Sequence, residues 1–207
     1  MEKNMSFLNA LEDRRSIYVL GKSIDVDEAI ETIKEAVRLS SSAFNSQTSR
    51  VLILTEQAHD KFWQDIVATD VKTDMERQGF PESVWEGTKA KLDGFAAAAL
   101  TALFFEDISV VKGLQEQFPH YADHFPAWSE QSTGITSVNA WVALSDIGLG
   151  ANLQHYNPII DDSVAKVFDI PASWSLRGQL VVGTPQVIPT PKSFLDDTDR
   201  FRIFHAL

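Results

Sequence analysis

Hydrophobic and small residues between positions 134 and 147 fall on nearly every side of a helical projection, and Asp146 is the only ionisable residue among them. A surface helix has a narrower apolar arc, so this pattern predicts a helix that is covered almost all round, by its own domain or by a second chain. Gly148-Leu149-Gly150 predicts a sharp exit from that helix. Residues 152–158 (NLQHYNP) are interpreted as a polar loop that either caps the helix or faces a planar, polar-edged ligand.

Periodicity along the rest of the chain alternates between helical and extended patterns. It predicts helices at 6–15 (with Phe7, Leu8 and Leu11 inward), 25–39, 57–67, 70–91, 110–118 and 161–168. Apolar runs predict strands at 51–54 and 180–182, and the alternation of residues 200–204 predicts a final edge strand. Residues 96–105 fit helix or strand, and we interpret 101–106 as a strand. Interleaved strands and helices indicate a layered α/β or α+β domain.

Length and composition narrow the class of protein. The 207 residues are most simply one domain, 1–207, with 44% hydrophobic and 23% charged residues. No run approaches the length of about 20 apolar residues that spans a membrane, and the acidic N-terminus does not resemble a signal peptide. The absence of cysteine fits a reducing compartment, so we expect a cytoplasmic protein. A net charge of −11 disfavours nucleic acid and anionic membranes as partners.

An anionic ligand would therefore need a local basic pocket. Arg14-Arg15-Ser16 suits a phosphate, because guanidinium groups bind its oxygens in a bidentate manner, although such a pair is more often simply solvated. A second basic set near the C-terminus could converge on the same anion; it comprises Lys192, Arg200 and Arg202.

Two other groups of polar residues are candidates for binding. The side chains of Ser41, Ser42, Asn45 and Gln47 offer the donors and acceptors that a heterocycle edge needs, but such residues are also typical of an ordinary connection. Glu116, His120 and His124 have four-residue spacing, but Pro119 lies among them, so we predict no metal site. Nucleophile-elbow, phosphate-loop and dinucleotide-binding motifs are absent from the sequence.

Four stretches in this order resemble the nitroreductase superfamily of flavoproteins, in particular its compact, fatty-acid-repression-mutant-type branch. They are RRSIY (14–18), SSSAFNSQTSRVLIL (40–54), FPAWSEQSTG (125–134) and GLGANLQHYNPIID (148–161), with weaker matches in GQLVVGTP (178–185) and DRFRIF (199–204). The resemblance covers nearly the whole chain. It departs from many relatives at Ser41 and Thr48, where they have proline, and at Tyr18, where they have lysine.

The resemblance implies an α+β sandwich with a central mixed β-sheet flanked by helices, in an intertwined homodimer with two FMN molecules at the interface. Residues 134–147 would form the interface helix. Three groups of residues would contact the flavin: Arg14, Arg15, Ser16, Lys192 and Arg200 at the phosphate; Ser42, Asn45 and Gln47 along the isoalloxazine, in one subunit's site or its neighbour's; and Gln154, His155 and Tyr156 near N5.

The implied activity is ping-pong oxidoreduction, in which NADH or NADPH delivers hydride to flavin N5 and a small planar acceptor, a quinone or nitroaromatic, then takes its place. No side chain need act as acid, base or nucleophile. Phe44, Phe125 and Trp128 are candidate walls for the acceptor or ordinary core aromatics. The alternatives are a flavin-binding sensor with little turnover and a helical metal protein.

Overall fold

The structure is a computed structural model that describes residues 7–205. Five strands form one sheet in this range: β1 Leu20–Gly21, β2 Ser49–Thr55, β3 Leu100–Asp107, β4 Gly150–Gln154 and β5 Trp174–Pro185. The α-helices of the same range are α1 Phe7–Asp13, α2 Val26–Leu39, α3 Glu56–Lys61, α4 Ala68–Arg77, α5 Glu82–Ala96, α6 Ile108–Gln117, α7 Phe125–Asp146, α8 Asp161–Phe168 and α9 Asp197–Arg200. A π-helical segment, Phe62–Val67, joins α3 to α4. None of the described helices is long and apolar enough to cross a membrane.

The sheet has the order β1-β5-β3-β2, and β4 also pairs with β5. All pairs of these strands are antiparallel. The α+β class is confirmed, but the expected mixed sheet is met only by one parallel bridge, between Ser16 and Ala151. That bridge holds the chain just after α1 against β4, since the Ile17 N–H donates to the Ala151 carbonyl at 3.0 Å.

Helices cover both faces of the sheet, and β3 is buried along its whole length between them. One core lies beneath the π-helical segment, where Phe62 and Trp63 are fully buried. The other core lies beneath α2 and α7, where Ile33 and Leu144 are fully buried. Continuous apolar character in β3 therefore reflects burial on two faces, which confirms the strand predicted at 101–106.

Several predicted boundaries are confirmed by the local chemistry of the chain. Asp25 caps α2, because its carboxylate accepts the Glu28 N–H at 3.0 Å. The helix at 161–168 coincides with α8, and α7 ends before Gly148, which has a φ of 81°. α7 starts earlier than predicted, at Phe125, because Pro126 fits the first turn of a helix. β2 is the predicted strand, but it lies at the sheet edge and is only half-buried.

Three predictions of local structure are wrong. Residues 200–204 form no strand: α9 ends at Arg200, and residues 201–204 are exposed and pair with none of the described strands. Residues 152–154 belong to β4 and not to a polar loop. Phe7 and Leu8 are exposed, and α1 buries Ala10 instead. Ser6, the predicted start of that helix, lies outside the described residues.

Candidate functional site

α7 leaves one stripe of its surface open in the single chain. Ser132, Thr136, Ala140 and Leu144 are buried on other sides of the helix, whereas Ile135 and Val138 are exposed, as are the neighbouring residues Glu130, Gln131 and Gly134. The prediction of a helix that is covered all round is therefore met only in part within one chain, since this stripe and the end of the helix at Asp146 are exposed. We call the exposed set (Glu130, Gln131, Gly134, Ile135 and Val138) the α7 stripe.

A groove runs beside the α7 stripe, between α7 and strands β4 and β5. It consists of two cavities of about 320 and 630 Å³, which share Gly134, Ser137 and Leu153 as lining residues. The space beside Gly134 is open, since a Cβ added there would meet no atom within 4 Å. We call this space the α7 groove.

One end of the α7 groove is cationic. Arg14, Ser16 and Lys192, which the sequence placed at opposite ends of the chain, line the same cavity. The Arg14 guanidinium lies 4.3 Å from the ring centre of Trp141, a cation–π contact that fixes its position. Partial burial and the adjacent Arg15 lower the pKa of Arg14, but an arginine remains charged at neutral pH. Two of the three residues of the RRS motif therefore line the same cavity as Lys192.

Arg15 faces a different cavity, which it shares with Ser145, Leu149 and Pro185. Successive side chains of an extended segment point to opposite sides, and the bridge from Ser16 to Ala151 keeps this segment extended. Within one chain, Arg15 therefore does not join Arg14, Ser16 and Lys192 in the cavity that they line. Arg200 lies exposed in α9 and lines none of the cavities described here.

The other end of the α7 groove is lined by Leu153, His155, Arg177 and Gly178. A Cβ at Gly178 would lie 3.3 Å from Leu153 Cδ1 and 3.5 Å from His155 Nε2, so glycine leaves room between these side chains. His155 is thus the one residue of the predicted trio Gln154, His155 and Tyr156 that reaches the groove.

Gln154 and Tyr156 are directed elsewhere. Gln154 is buried and donates from Nε2 to Asn152 Oδ1 at 2.7 Å. The Tyr156 ring packs against Trp63, with centroids 5.7 Å apart, and burial raises its pKa to about 12. The Tyr156 backbone N–H already donates to Gln179 Oε1 at 2.8 Å. Neither residue is among those that line the α7 groove.

Arg177 occupies the groove because of a β-bulge. The register between β3 and β5 shifts at Phe104/Phe105, so Arg177 and Gly178 both line the groove beside Phe104. Arg177 donates from Nε and Nη2 to Glu106 Oε2 at 2.8 and 2.6 Å, and Nη2 lies 3.5 Å from Glu130 Oε1. Sequence analysis missed this ion cluster; a glycine directly after an arginine inside an apolar run was the available signal.

The predicted Ser42, Asn45 and Gln47 set lies on the opposite side of α7. Ser42 and Gln47 line a separate polar cavity of about 330 Å³ together with Thr136, which is two residues from Gly134 and so faces roughly the other way. Ser42 Oγ accepts the Gln47 N–H at 2.9 Å, and Asn45 is exposed. We call residues 41–48 the serine loop. It does not reach the α7 groove of its own chain.

The three residues with candidate metal-ligand spacing lie in different elements of the structure. Glu116 lies in α6, His120 lies in the short turn Pro119–Tyr121, and His124 stacks on Trp128. Within residues 7–205, no group of three or more potential ligands could hold a metal ion.

Comparison with known proteins gives consistent matches over most of the chain. The Nitroreductase family model matches residues 11–184. Nitroreductase FRM2 of Saccharomyces cerevisiae is 32% identical over 209 residues, which covers 99% of this chain and 100% of the yeast protein. The structure is similar to nitroreductase CinD from Lactococcus lactis in complex with chloramphenicol, with 57% identity, a TM-score of 0.89 and coverage of 96% and 100% of the two chains. CinD has also been solved in complex with 4-nitrophenol.

Proposed function

This chain belongs to the nitroreductase family of oxidoreductases, and we propose that it is an FMN-dependent NAD(P)H oxidoreductase that reduces nitroaromatic compounds and quinones. The observation that carries the proposal is the convergence of Arg14, Ser16 and Lys192 at one end of a groove, in a chain of net charge −11. Such an acidic chain gathers cations in a cavity chiefly to bind an anion.

The residues of the α7 groove fit FMN. Its two cavities lie in the range of about 300–1,000 Å³ that is typical of ligand sites. Arg14 and Lys192 offer charge-assisted hydrogen bonds to a phosphate, and the Ser16 hydroxyl offers another. At the other end, Leu153 supplies an apolar floor for a flat ring, and Gly178 leaves space beside it.

FMN bound by Arg14, Ser16 and Lys192 would supply the redox chemistry, which is hydride acceptance from NADH or NADPH and two-electron transfer to the acceptor in a second, ping-pong half-reaction. For a nitro compound, the balance is one NAD(P)H, one proton and one nitro group converted to NAD(P)⁺, a nitroso group and water. The protein's part is to bind, orient and exclude water. Trp141 holds Arg14 in place, and Leu153 on β4 lines the floor of the groove.

We propose that a second copy of the chain covers the α7 stripe. Exposed Ile135 and Val138 would gain about 25 cal/mol for each Å² of apolar area that the partner buries. The serine loop faces away from the groove of its own chain, so we assign Ser42, Asn45 and Gln47 to the site of the partner. A homodimer would then build each site from both chains.

The test of cofactor binding uses two adjacent arginines. The purified protein should be yellow, and anaerobic NADH or NADPH should bleach it. Arg14→Ala should weaken FMN binding by about 10- to 100-fold, because a hydrogen bond to a charged group contributes about 1.5–3 kcal/mol. Arg15→Ala is the matched control and should change the FMN dissociation constant by less than about threefold, since Arg15 faces another cavity. Equal losses in both variants would contradict the placement of the phosphate.

Turnover separates an enzyme from a flavin sensor. Steady oxidation of NAD(P)H with menadione or 4-nitrophenol supports the proposed activity. Tight flavin binding without reduction by either nicotinamide would favour the sensor. A colourless protein that stays colourless in excess FMN would refute both.

A further inference from the structure

A cluster of charged side chains lies at the end of the α7 groove that is opposite Arg14 and Lys192. Arg177 and Glu130 both line the cavity of about 320 Å³ at this end. Arg177 donates two hydrogen bonds to Glu106 Oε2, at 2.8 and 2.6 Å, and its Nη2 lies 3.5 Å from Glu130 Oε1. One guanidinium therefore faces two carboxylates. We call Glu106, Glu130 and Arg177 the Arg177 cluster.

The negative charge of the Arg177 cluster is only partly compensated. Both hydrogen bonds reach the same oxygen of Glu106, so its buried Oε1 accepts none from the described residues. A third carboxylate, Asp161, lies within the field of Arg177: burial and Asp162 raise the pKa of Asp161, and the Arg177 charge opposes that rise. Among the described residues that line this cavity, Arg177 is the only arginine or lysine. This end of the groove is therefore electronegative, whereas the other end is electropositive.

Glu130 is not needed to hold this arrangement together. Its side chain is 62% exposed and makes the longer contact, and a solvated ion pair of this kind contributes little to the stability of a fold. Glu106, by contrast, is 1% exposed, and its pairing with Arg177 offsets the cost of burying it. Stability therefore accounts for Arg177 beside Glu106, but it leaves the position of Glu130 at the cavity unexplained.

We propose that the Arg177 cluster keeps the ring end of the α7 groove negatively charged and so lowers the reduction potential of FMN bound there, with Glu130 as the residue that adjusts the value. The inference rests on the proposed function, because a phosphate held at Arg14 and Lys192 places the ring at the other end. Hydride acceptance adds one negative charge at the ring, and a nearby negative charge opposes that addition. The bound cofactor is then a stronger reductant toward its acceptors.

The size of the effect follows from the removal of one charge. A unit charge that acts across roughly 10 Å of partly solvated protein changes an equilibrium constant by about 3- to 10-fold. Glu130→Gln removes one charge and keeps the shape of the side chain. It should therefore strengthen the binding of reduced FMN relative to oxidised FMN by about 3- to 10-fold, which raises the two-electron potential by about 15–30 mV.

The first test is the reduction potential of the FMN-loaded protein, measured anaerobically against a reference dye at pH 8, where histidines of ordinary pKa are neutral. Glu130→Gln should raise the potential as stated, and Glu130→Lys should raise it by about twice as many millivolts, because it changes the charge by two units. Glu130→Asp keeps the charge and should change the relative affinity for reduced and oxidised FMN by less than about twofold.

Glu86→Gln is the matched control for the potential. It also removes an exposed carboxylate, but from α5, whose Leu92 and Phe95 pack in the core beneath the π-helical segment and not beneath α7. Its relative affinity for reduced and oxidised FMN should change by less than about 1.5-fold. Equal shifts in Glu130→Gln and Glu86→Gln, a lower potential in Glu130→Gln, or no shift at all would overturn the inference.

The second test separates charge from assembly, because Glu130 also belongs to the α7 stripe. With FMN bound, Glu130→Gln should have the same sedimentation coefficient as the unsubstituted protein in analytical ultracentrifugation. A change in that coefficient that accompanies the change in potential would assign Glu130 to assembly and contradict the inference.

Failure of the proposed function would be visible separately. It would show as absence of bound FMN, or of its reduction by NADH and NADPH, in the unsubstituted protein. Failure of the inference alone would leave yellow, reducible protein whose potential does not respond to the charge at position 130.

Discussion

The ion pair between Arg177 and Glu106 should contribute strongly to stability, and its removal is the prediction we develop first. Glu106 lies on β3 and is 1% exposed, and both hydrogen bonds from Arg177 go to its Oε2. Arg177→Met removes the guanidinium but keeps a similar unbranched side chain. The variant therefore leaves a carboxylate buried without its partner.

The expected loss follows from the burial of the two groups. Removing one member of a fully buried pair destabilises a protein by about 3–5 kcal/mol. The Arg177 side chain is about one-third exposed, so water can solvate part of the vacated site, and we expect about 2–3 kcal/mol. With an m-value of about 1–3 kcal/mol/M, the urea midpoint should fall by roughly 1 M or more.

The assay is urea unfolding followed by circular dichroism, at one protein concentration and with the same excess of FMN, because a bound ligand adds to apparent stability. Glu106→Gln in the Arg177→Met background should recover part of the loss, since a neutral amide is less costly to bury unpaired than a charge. Lys34→Met removes an exposed pair with Glu31 and should change stability by less than about 0.5 kcal/mol. In one contrary outcome, Arg177→Met loses no more free energy of unfolding than Lys34→Met; in another, the losses caused by Arg177→Met and Glu106→Gln simply add in the double variant. Either result would show that Arg177 and Glu106 are not coupled as described.

Three further predictions concern other parts of the chain. Burial lowers the pKa of His59, so the unfolded chain binds a proton at a higher pH than the folded protein does. The free energy of unfolding should therefore be fully retained above the unfolded pKa, near 6.5, and should decrease by up to about 1.4 kcal/mol per pH unit as the pH falls below that value. Urea midpoints between pH 5 and 7.5 should show this decrease, and His59→Asn should make the decrease smaller. Val138→Glu should convert the proposed dimer to monomer in analytical ultracentrifugation, whereas Val167→Glu, on α8 and similarly exposed, should leave it dimeric. Thr48→Val should cost about 1 kcal/mol in urea unfolding, because the buried Ser129 hydroxyl loses its acceptor at 2.8 Å.

Much of the fold could be predicted because its determinants are local in the chain. The Asp25 cap lies next to the helix that it starts, and the apolar run of β3 reports directly that both faces of the strand are covered. The strand β4 was missed for the opposite reason. Asn152 and Gln154 look like loop residues, but their polar groups are satisfied inside the fold, by the Ile17 carbonyl and by each other. A sequence shows that a residue is polar, but it does not show the distant residue with which its polar group forms a hydrogen bond.

In the candidate site, the sequence indicated which residue types could bind an anion, but it did not indicate which way their side chains point. The RRS motif identified an anion-binding type of residue, but Arg14 and Arg15 face different cavities because the segment is extended and pinned to β4. That pinning involves Ala151, far along the chain, so spacing alone could not tell which arginine enters the groove. His155 was separated from its neighbours in the same way, by the alternation of an extended chain.

α7 links the two parts of the proposed site through its small polar residues. Ser132 and Thr136 donate their hydroxyls to carbonyls of the preceding turn, so they remain satisfied in an apolar helix. The same hydroxyl oxygens contact the loop side, since Ser132 Oγ accepts the Ala43 N–H and Thr136 Oγ1 lies 3.1 Å from Ser49 Oγ. Large side chains at these positions would push the serine loop away from the helix. The small residues that made this stretch conspicuous in the sequence thus hold the serine loop and the α7 groove in a fixed relation on opposite sides of one rigid element.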